Sequence, residues 1–525
     1  MPKQSFMRGA MVLTSASVIT KILGMMIQVV IARELGAAGF GLFRTVNPIF
    51  YMLLTISTLA LPLALSKVIA ENMAIGNTAK VRRALKISNT TVLILSVAMC
   101  ITAVILAPVS TKWLDPRATL PFYGALLRIP LVCLSSIISG FYIGIQDQTP
   151  PAIAWIIETL VRTIVTIPLI LKMNPYGIAY GALAVMIGAG LGELSGYLYM
   201  IWRYLKRDIS IIQTDSPAKD DYHLINGTVH DLVEVALPTT IRNICSIIAY
   251  AAEPVIIYAA FAHIGVSKTD ATSLYGSFGM AIQLLLLPTV LSSSLSSVII
   301  PAVSEAAAMR NANLVSRRLN QVILITFVIA LPATVFLILS GNDLAVTLYK
   351  DSLAGSLLVY IAPICVFIYV RDPLSALLQG LNKATLSAVI SLISSGIRMY
   401  GIYYFVSQAN DGIYGVVKAA AISAIISTLL NLYFVRKYVK LSFDFKKIAK
   451  MIIATGIAAI PIHQAHSLLP ETLPLLHVLT GVAAGCVIYT LALVYLRVLP
   501  IKSVERIPWV GHIVAGLLQR MPFVS

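Results

Sequence analysis

The sequence predicts an all-α polytopic membrane protein. It has about 14 transmembrane helices, twelve in two parallel six-helix repeats and two more at the C-terminal end. Three observations carry that prediction. The 525 residues are 58% hydrophobic and 12% charged, with a mean hydropathy of +0.87, about half the charged fraction usual in a soluble chain. Apolar runs recur from end to end, each of the ~18 residues or more that a hydrocarbon core about 30 Å thick requires. Finally, GIQDQTPPAIAWIIETLVR (144–162) aligns without a gap with GLNKATLSAVISLISSGIR (380–398). The identities Gly144/Gly380, Thr149/Thr385, Ala152/Ala388, Ile157/Ile393 and Arg162/Arg398 all lie 236 residues apart.

The helices are expected at 10–32, 46–70, 88–111, 120–143, 151–171, 176–202, 232–262, 273–301, 320–340, 355–381, 385–407, 412–435, 446–469 and 473–497. The first run is too long for a signal-peptide core, and the same pattern continues beyond it, so it reads as a retained helix. Helix 2 carries Pro48 and Pro62, and helix 8 carries Pro288 and Pro301 around SSSLSS (292–297). Proline frees backbone carbonyls and bends helices, and small hydroxyl residues permit close approach or line water. These features read either as a gate between the halves or as ordinary kinks in long helices.

Charge fixes orientation. With the N-terminus inside, the inward segments hold 24 of the 39 Lys and Arg residues and the outward segments seven. The outward seven are Arg33, Arg44, Lys112, Arg117, Lys172, Lys268 and Lys350. The positive-inside rule then places both termini in the cytoplasm. The net charge of +17 is accounted for by topology and attraction to anionic lipid, without a nucleic-acid partner.

Two further matches extend the repeat. AENMAIGNTAKVRRALK (70–86) follows helix 2 and SEAAAMRNANLVSRRLN (304–320) follows helix 8, each a loop closed by paired arginines. YLYMIWRYLK (197–206) and NLYFVRKYVK (431–440) end helices 6 and 12 at an offset of 234. Six is an even number, so both copies enter from the cytoplasm, as in parallel repeats with a substrate path between them. The resulting organisation is an N-lobe at 1–206 (helices 1–6), a cytoplasmic linker at 207–230, a C-lobe at 231–440 (helices 7–12), helices 13 and 14 at 441–500 and a cytoplasmic tail at 501–525. The tail is read as an interfacial helix or a frayed end.

Arg162 lies about 16 Å into helix 5, near mid-membrane, and Arg398 is its counterpart in helix 11. A midplane arginine costs at least about 2.5–3.5 kcal/mol, so it should face a polar interior. Arg162 has Glu158 one turn away, whereas Arg398 has Ser394 and Ser395 there, so pairing alone does not explain both. The basic residues within spans are Lys21, Lys67, Arg128, Arg162, Arg242, Arg371, Arg398 and Lys418. The acidic ones are Glu158, Glu193, Glu253 and Asp372. This basic surplus suits an anionic substrate, because guanidinium forks match phosphate oxygens. Arg162, Arg398, Lys21, Arg128, Arg242 and Arg371 are the expected substrate-binding residues. Glu158, Glu193 and Glu253 are expected to serve any ion coupling.

No enzyme constellation is visible: the sequence lacks Walker A, HExxH and GxSxG patterns. His463 and His466 have no carboxylate company, so no metal is expected. Cys100, Cys133, Cys245, Cys365 and Cys486 are scattered through apolar runs and read as packing residues. No cofactor is called for, and transport would run on gradients or the membrane potential.

KQSFMRGAMVL (3–13), KILG (21–24), IARELGAAGFGLF (31–43) and LPLALSKVIAE (61–71) carry a resemblance over the whole chain. It resembles the polysaccharide-transport and lipid II flippase branch of the multidrug/oligosaccharidyl-lipid/polysaccharide (MOP) exporter superfamily. The resemblance implies two six-helix lobes in a V-shaped arrangement, a central cationic cavity, and flipping of undecaprenyl-diphosphate-linked saccharides to the outer leaflet of the plasma membrane. The last two helices would form a groove for the prenyl tail. Lys21 matches a basic residue that those flippases carry before Leu-Gly. A second one falls near Ile27 or Gln28, neither basic, and helix 8 lacks the arginine of that group, so lipid II and another lipid-linked glycan both remain open. A diphosphate gains about 2.3 kcal/mol per charge per 100 mV on leaving a negative interior, which favours the outward direction. The alternatives are a cation-coupled multidrug antiporter of the same superfamily and a non-transporting scaffold for cell-envelope synthesis enzymes, the candidate protein partners.

Overall fold

The computed structural model describes residues 6–110, 112–208, 222–289, 303, 309, 312–409, 411–439, 444–468 and 474–498. Among these residues the ordered elements are helices, with no strand. Hydrocarbon offers no partner for backbone N–H and C=O groups, so each crossing segment satisfies its own. Eleven helices among the described residues are long and apolar enough to cross a membrane. One of them, Ile19–Ala74, takes in most of the first expected segment and all of the second, and each of the fourteen expected segments contains helix.

In chain order the helices are α1 (Phe6–Thr58), α2 (Leu61–Ala74), α3 (Thr78–Ser110), α4 (Thr119–Leu126), α5 (Arg128–Gly144), α6 (Thr149–Met173), α7 (Ile178–Arg203) and α8 (Tyr222–His263). They continue as α9 (Lys268–Leu285), α10 (Ala312–Tyr349), α11 (Ser352–Ile361), α12 (Cys365–Gly380), α13 (Ala384–Tyr403), α14 (Ile413–Tyr438), α15 (Phe445–Leu468) and α16 (Pro474–Tyr495).

The expected outward loop between helices 1 and 2 is absent from α1. The backbone departs from helical geometry only at Gly36 (φ 64°, ψ −171°), which glycine adopts without steric penalty. One residue makes the corner, and Arg44 is a helix residue rather than a loop residue. A second break falls at Leu59 and Ala60 (φ 46° and 51°). Pro62 follows in the first turn of α2, where its missing N–H leaves no bond unmade. Pro48 sits in unbroken helix. The SSSLSS stretch and Pro301 lie outside the described residues, as do residues 209–221 of the linker and the 501–525 tail. The paired arginines are also helical, Arg82 and Arg83 in α3 and Arg317 and Arg318 in α10. Hydropathy marks only the apolar part of a helix, while Arg, Lys and Ala extend it at little cost.

Packing groups the chain into two units, 1–276 and 277–525. The first is built around Leu42, Phe50, Leu65, Ile129, Phe141 and Tyr142, and α8 packs within it against α1, α2 and α3. In the second, Leu319, Leu374, Leu377 and Val435 form the centre. Asp351 caps α11 by accepting the Ala354 N–H at 2.9 Å, and it also accepts the Ser277 hydroxyl at 2.6 Å. Helices α15 and α16 dock on α10, with Met451, Ala454, Tyr489 and Leu493 against Leu324, Phe327 and Leu331. All five cysteines are free. Cys133 and Cys365 are buried as expected of packing residues, whereas Cys245 and Cys486 are exposed.

Candidate functional site

Four charged side chains meet in the first unit. Helix α6 places Glu158 and Arg162 one turn apart on the same face, where they form an ion pair. Helix α7 brings Glu193 against them, because Gly192 lets the two backbones approach: a Cβ there would lie 2.6 Å from the Glu158 carbonyl oxygen. The Glu193 carboxylate is 3.8 Å from Arg162 Nη2. Its tighter partner is Arg128, the first residue of α5, which donates from Nε at 3.2 Å and from Nη2 at 2.6 Å. Arg128 also lies over the Phe50 ring, 4.4 Å from its centroid, and donates to Met186 Sδ at 3.5 Å.

The two arginines differ in what they can do. The Arg128 and Glu193 side chains are each 8% exposed, so this bidentate pair is sealed and holds α5 to α7. Arg162 is 29% exposed, and its Nε is buried without a hydrogen-bond partner. Arg162 is the more exposed of the two, with its Nη2 engaged by Glu158 and near Glu193, whereas Arg128 is sealed against Glu193. The GAGLGELSG run (188–196), with Gly188, Gly192 and Gly196 at four-residue spacing, is the sequence signal for this contact. Small residues at that interval let membrane helices pack closely.

Arg44 was expected in a loop; the corner at Gly36 carries it into the unit instead. Its Nη2 lies 3.9 Å from Glu253 of α8, and its guanidinium is 5.0 Å from the centre of the Tyr275 ring on α9. Close by, a chain of hydroxyls joins three helices. Tyr258 bonds Thr45 at 3.1 Å and Thr272 at 2.7 Å, and Thr272 donates to Asp115 at 2.7 Å. Arg117 closes the far side of Asp115 through Nε (3.1 Å) and Nη2 (2.8 Å). Burial pushes the Asp115 carboxyl up, but the bonds from Arg117 and Thr272 outweigh it and hold the group below the usual carboxylate range. Helices α1 and α9 touch here through glycines: a Cβ on Gly276 would stand 1.9 Å from the Ala37 carbonyl oxygen.

The other expected residues are distributed as follows. Lys21 on α1 and Arg242 on α8 are exposed. In the second unit Arg398 is half-buried on α13, next to a serine contact in which Ser423 donates to the Ser394 carbonyl at 2.7 Å. Arg371 pairs with Asp372 at 3.1 Å and Lys418 with Asp411 at 2.7 Å. Carboxylates thus engage Lys67 (through Glu71), Arg128, Arg162, Arg371 and Lys418. At the repeat offset of 234, the counterpart of Glu193 is Ser427. The two copies therefore share the arginine of helices 5 and 11 but not the acid that faces it in the first.

The family described as "Polysaccharide biosynthesis protein" matches residues 6–307. The chain is 29% identical over 526 residues to "Stage V sporulation protein B" of Bacillus subtilis (strain 168), covering 98% of this chain and 100% of that one. Among solved structures it is similar to "Lipid II flippase MurJ, inward closed conformation", with a TM-score of 0.69 at 16% identity, covering 92% of this chain and 99% of the other. It is also similar to an inward-facing multidrug resistance MATE family transporter of the MOP superfamily, with a TM-score of 0.64 at 17% identity over 82% and 98% of the two chains. The MOP-type fold expected from the sequence is the fold of this protein, a multi-pass membrane protein built as transporters are.

Proposed function

The chain belongs to the polysaccharide biosynthesis protein family, and from that premise we propose that it is a flippase for an undecaprenyl-diphosphate-linked saccharide. The cargo is a lipid II-like peptidoglycan precursor or another polysaccharide repeat unit, carried from the inner to the outer leaflet of the cytoplasmic membrane by alternating access. Both termini lie in the cytoplasm.

One observation carries the reading. Lys21, Arg162, Arg242 and Arg398 sit 10 to 13 residues into the expected helices 1, 5, 7 and 11, about 15–20 Å along each at 1.5 Å per residue. All four helices are expected to run outward, which puts each cation well inside its own expected span. Lys21 and Arg162 come from the first repeat copy, and Arg242 and Arg398 from the second. Lys21 and Arg242 are exposed, and a cation at that depth is stable only beside water or an anion. Intramembrane cations of this kind suit a diphosphate headgroup, whose oxygens accept charge-assisted hydrogen bonds.

The neighbour's name, a lipid II flippase, supports the same reading, while the relative's name speaks of sporulation and of no cargo. The multidrug neighbour shares the fold, so the assignment rests on the cations and not on the fold. The test is flipping of labelled lipid II in proteoliposomes, wild type beside Arg398→Ala. Flipping by the wild type that the variant lacks supports the reading. Folded wild-type protein that flips no lipid-linked glycan but exports cationic drugs overturns it.

A further inference from the structure

The N-terminal ends of α10 and α15 line a half-open cavity of about 500 Å3 in the second unit, within the size range of small-ligand sites. One face of α10 lines it with a gradient of character. Arg317, Asn320 and Gln321 come first, and Leu324 and Phe327 follow one and two turns deeper. From α15, Asp444 and Lys447 complete the polar end. Leu324 and Phe327 are also where α15 and α16 begin their apolar contact with α10. The cavity therefore spans the border between a charged helix end and the hydrocarbon-matched part of the fold.

The charges at the polar end do not cancel. Asp444 accepts the Lys447 N–H at 3.1 Å as the cap of α15 and lies 3.3 Å from Lys447 Nζ. That backbone bond, with the Lys447 ammonium, holds the Asp444 carboxyl below its usual range, so it is ionised at neutral pH. Arg317 is exposed and makes no ion pair among the described residues. Arg317 and Lys447 against Asp444 leave one positive charge, carried by a guanidinium that meets no carboxylate among the described residues. At the corresponding end of α3 in the first unit, Lys80 instead meets Asp231 of α8 at 2.5 Å. The two repeat copies thus treat the same helix end differently.

We infer that this cavity binds the phosphate headgroup of an anionic membrane phospholipid, with an acyl chain lying along Leu324 and Phe327. The guanidinium fork matches two phosphate oxygens, and the Gln321 amide on the cavity wall can supply a further donor. A free phosphate would be served by the polar end alone. The apolar floor continuing down the same helix face selects a ligand that joins an anion to a hydrocarbon chain. This lipid is a resident of the structure and not the transported cargo, so the inference does not depend on which glycan is moved.

The test uses the full-length protein in nanodiscs, with retained phosphatidylglycerol measured by native mass spectrometry. Arg317→Ala is compared with wild type, Lys447→Ala and Arg318→Ala. Arg318→Ala removes the same charge one residue away, outside the cavity lining. Arg317→Ala is expected to lower retention about fivefold, the weight of about one basic residue at an anionic surface, and Arg318→Ala to leave it within about twofold. Arg317→Gln serves the same comparison if the alanine variant is not recovered folded. Equal loss in Arg317→Ala and Arg318→Ala would reduce the site to diffuse attraction and overturn the inference. Displacement of the lipid by excess inorganic phosphate would overturn its lipid part, and unchanged retention in every variant would remove the site.

Discussion

Glu193 on α7 receives both arms of the Arg128 guanidinium, at 3.2 and 2.6 Å, from a position where neither side chain is more than 8% exposed. A buried pair of this kind adds little relative to a well-packed apolar pair, but breaking it strands a charge. The contact ties the start of α5 to the middle of α7, and α7 is the helix that also faces Arg162.

Glu193→Ala is therefore expected to destabilise the first unit by about 3–5 kcal/mol, because Arg128 is left buried and uncompensated. Thermal unfolding in detergent checks this. The double variant Arg128→Met/Glu193→Leu should recover most of the loss, since it removes both charges and keeps the volume. Failure of that recovery would mean the pair does more than hold two helices together.

Arg398→Ala should behave in the opposite way. Arg398 is half-buried on α13, beside serines and not beside an acid at the repeat position of Glu193. The expectation is loss of flipping by tenfold or more, about 1.4 kcal/mol of transition-state binding, with a melting temperature close to wild type. Reconstituted flipping and unfolding measured on one preparation separate the two effects.

The Asp115 node predicts a pH dependence. Its carboxyl is held below the ordinary range near pH 4 by Arg117 and Thr272, against the upward push of burial. A depressed folded value contributes stability that is fully present above the ordinary carboxylate pKa and is lost as pH falls through the folded value. Asp115→Asn should destabilise by about 1–3 kcal/mol at pH 7. The gap between variant and wild type should narrow below about pH 4, as followed by unfolding across an acid series.

Gly276→Ala would place a Cβ 1.9 Å from the Ala37 carbonyl oxygen, and a Cβ on Gly41 would meet the Thr272 carbonyl oxygen at 2.0 Å. Neither oxygen is the end of a flexible side chain, so α1 and α9 must separate. Each substitution is expected to cost about 1–3 kcal/mol as overpacking. Cysteine pairs engineered across this contact should crosslink more slowly in the alanine variants.

The fold was largely legible from hydropathy, because a helix that must satisfy its own backbone in hydrocarbon announces itself by length and composition. The Arg162 and Glu158 pair was also legible, since four-residue spacing is local geometry. Two things were not. Arg44 looked like a loop residue because it falls between the expected helices 10–32 and 46–70, and only the backbone shows that within α1 Gly36 alone leaves helical geometry. The grip of Glu193 on Arg128 depends on two helices 65 residues apart in sequence, and hydropathy carries no information on which faces meet. The glycine spacing at 188–196 was the one available hint of that contact. The facing of Lys21 and Arg242 had no sequence signal beyond the penalty for burying them.

The corner at Gly36 also determines where the chain tolerates additions. Sequence alone places thirteen residues between the first two crossings, a natural place for an epitope or a reporter. The backbone there is helix up to the glycine and helix again after it, so an insert would cut hydrogen-bonded turns and displace Arg44 and Thr45 from their partners. The bend at Gly265, which joins α8 to α9 through a left-handed glycine (φ 77°), lies in a true connection and is the better place to append a tag from the same side of the membrane.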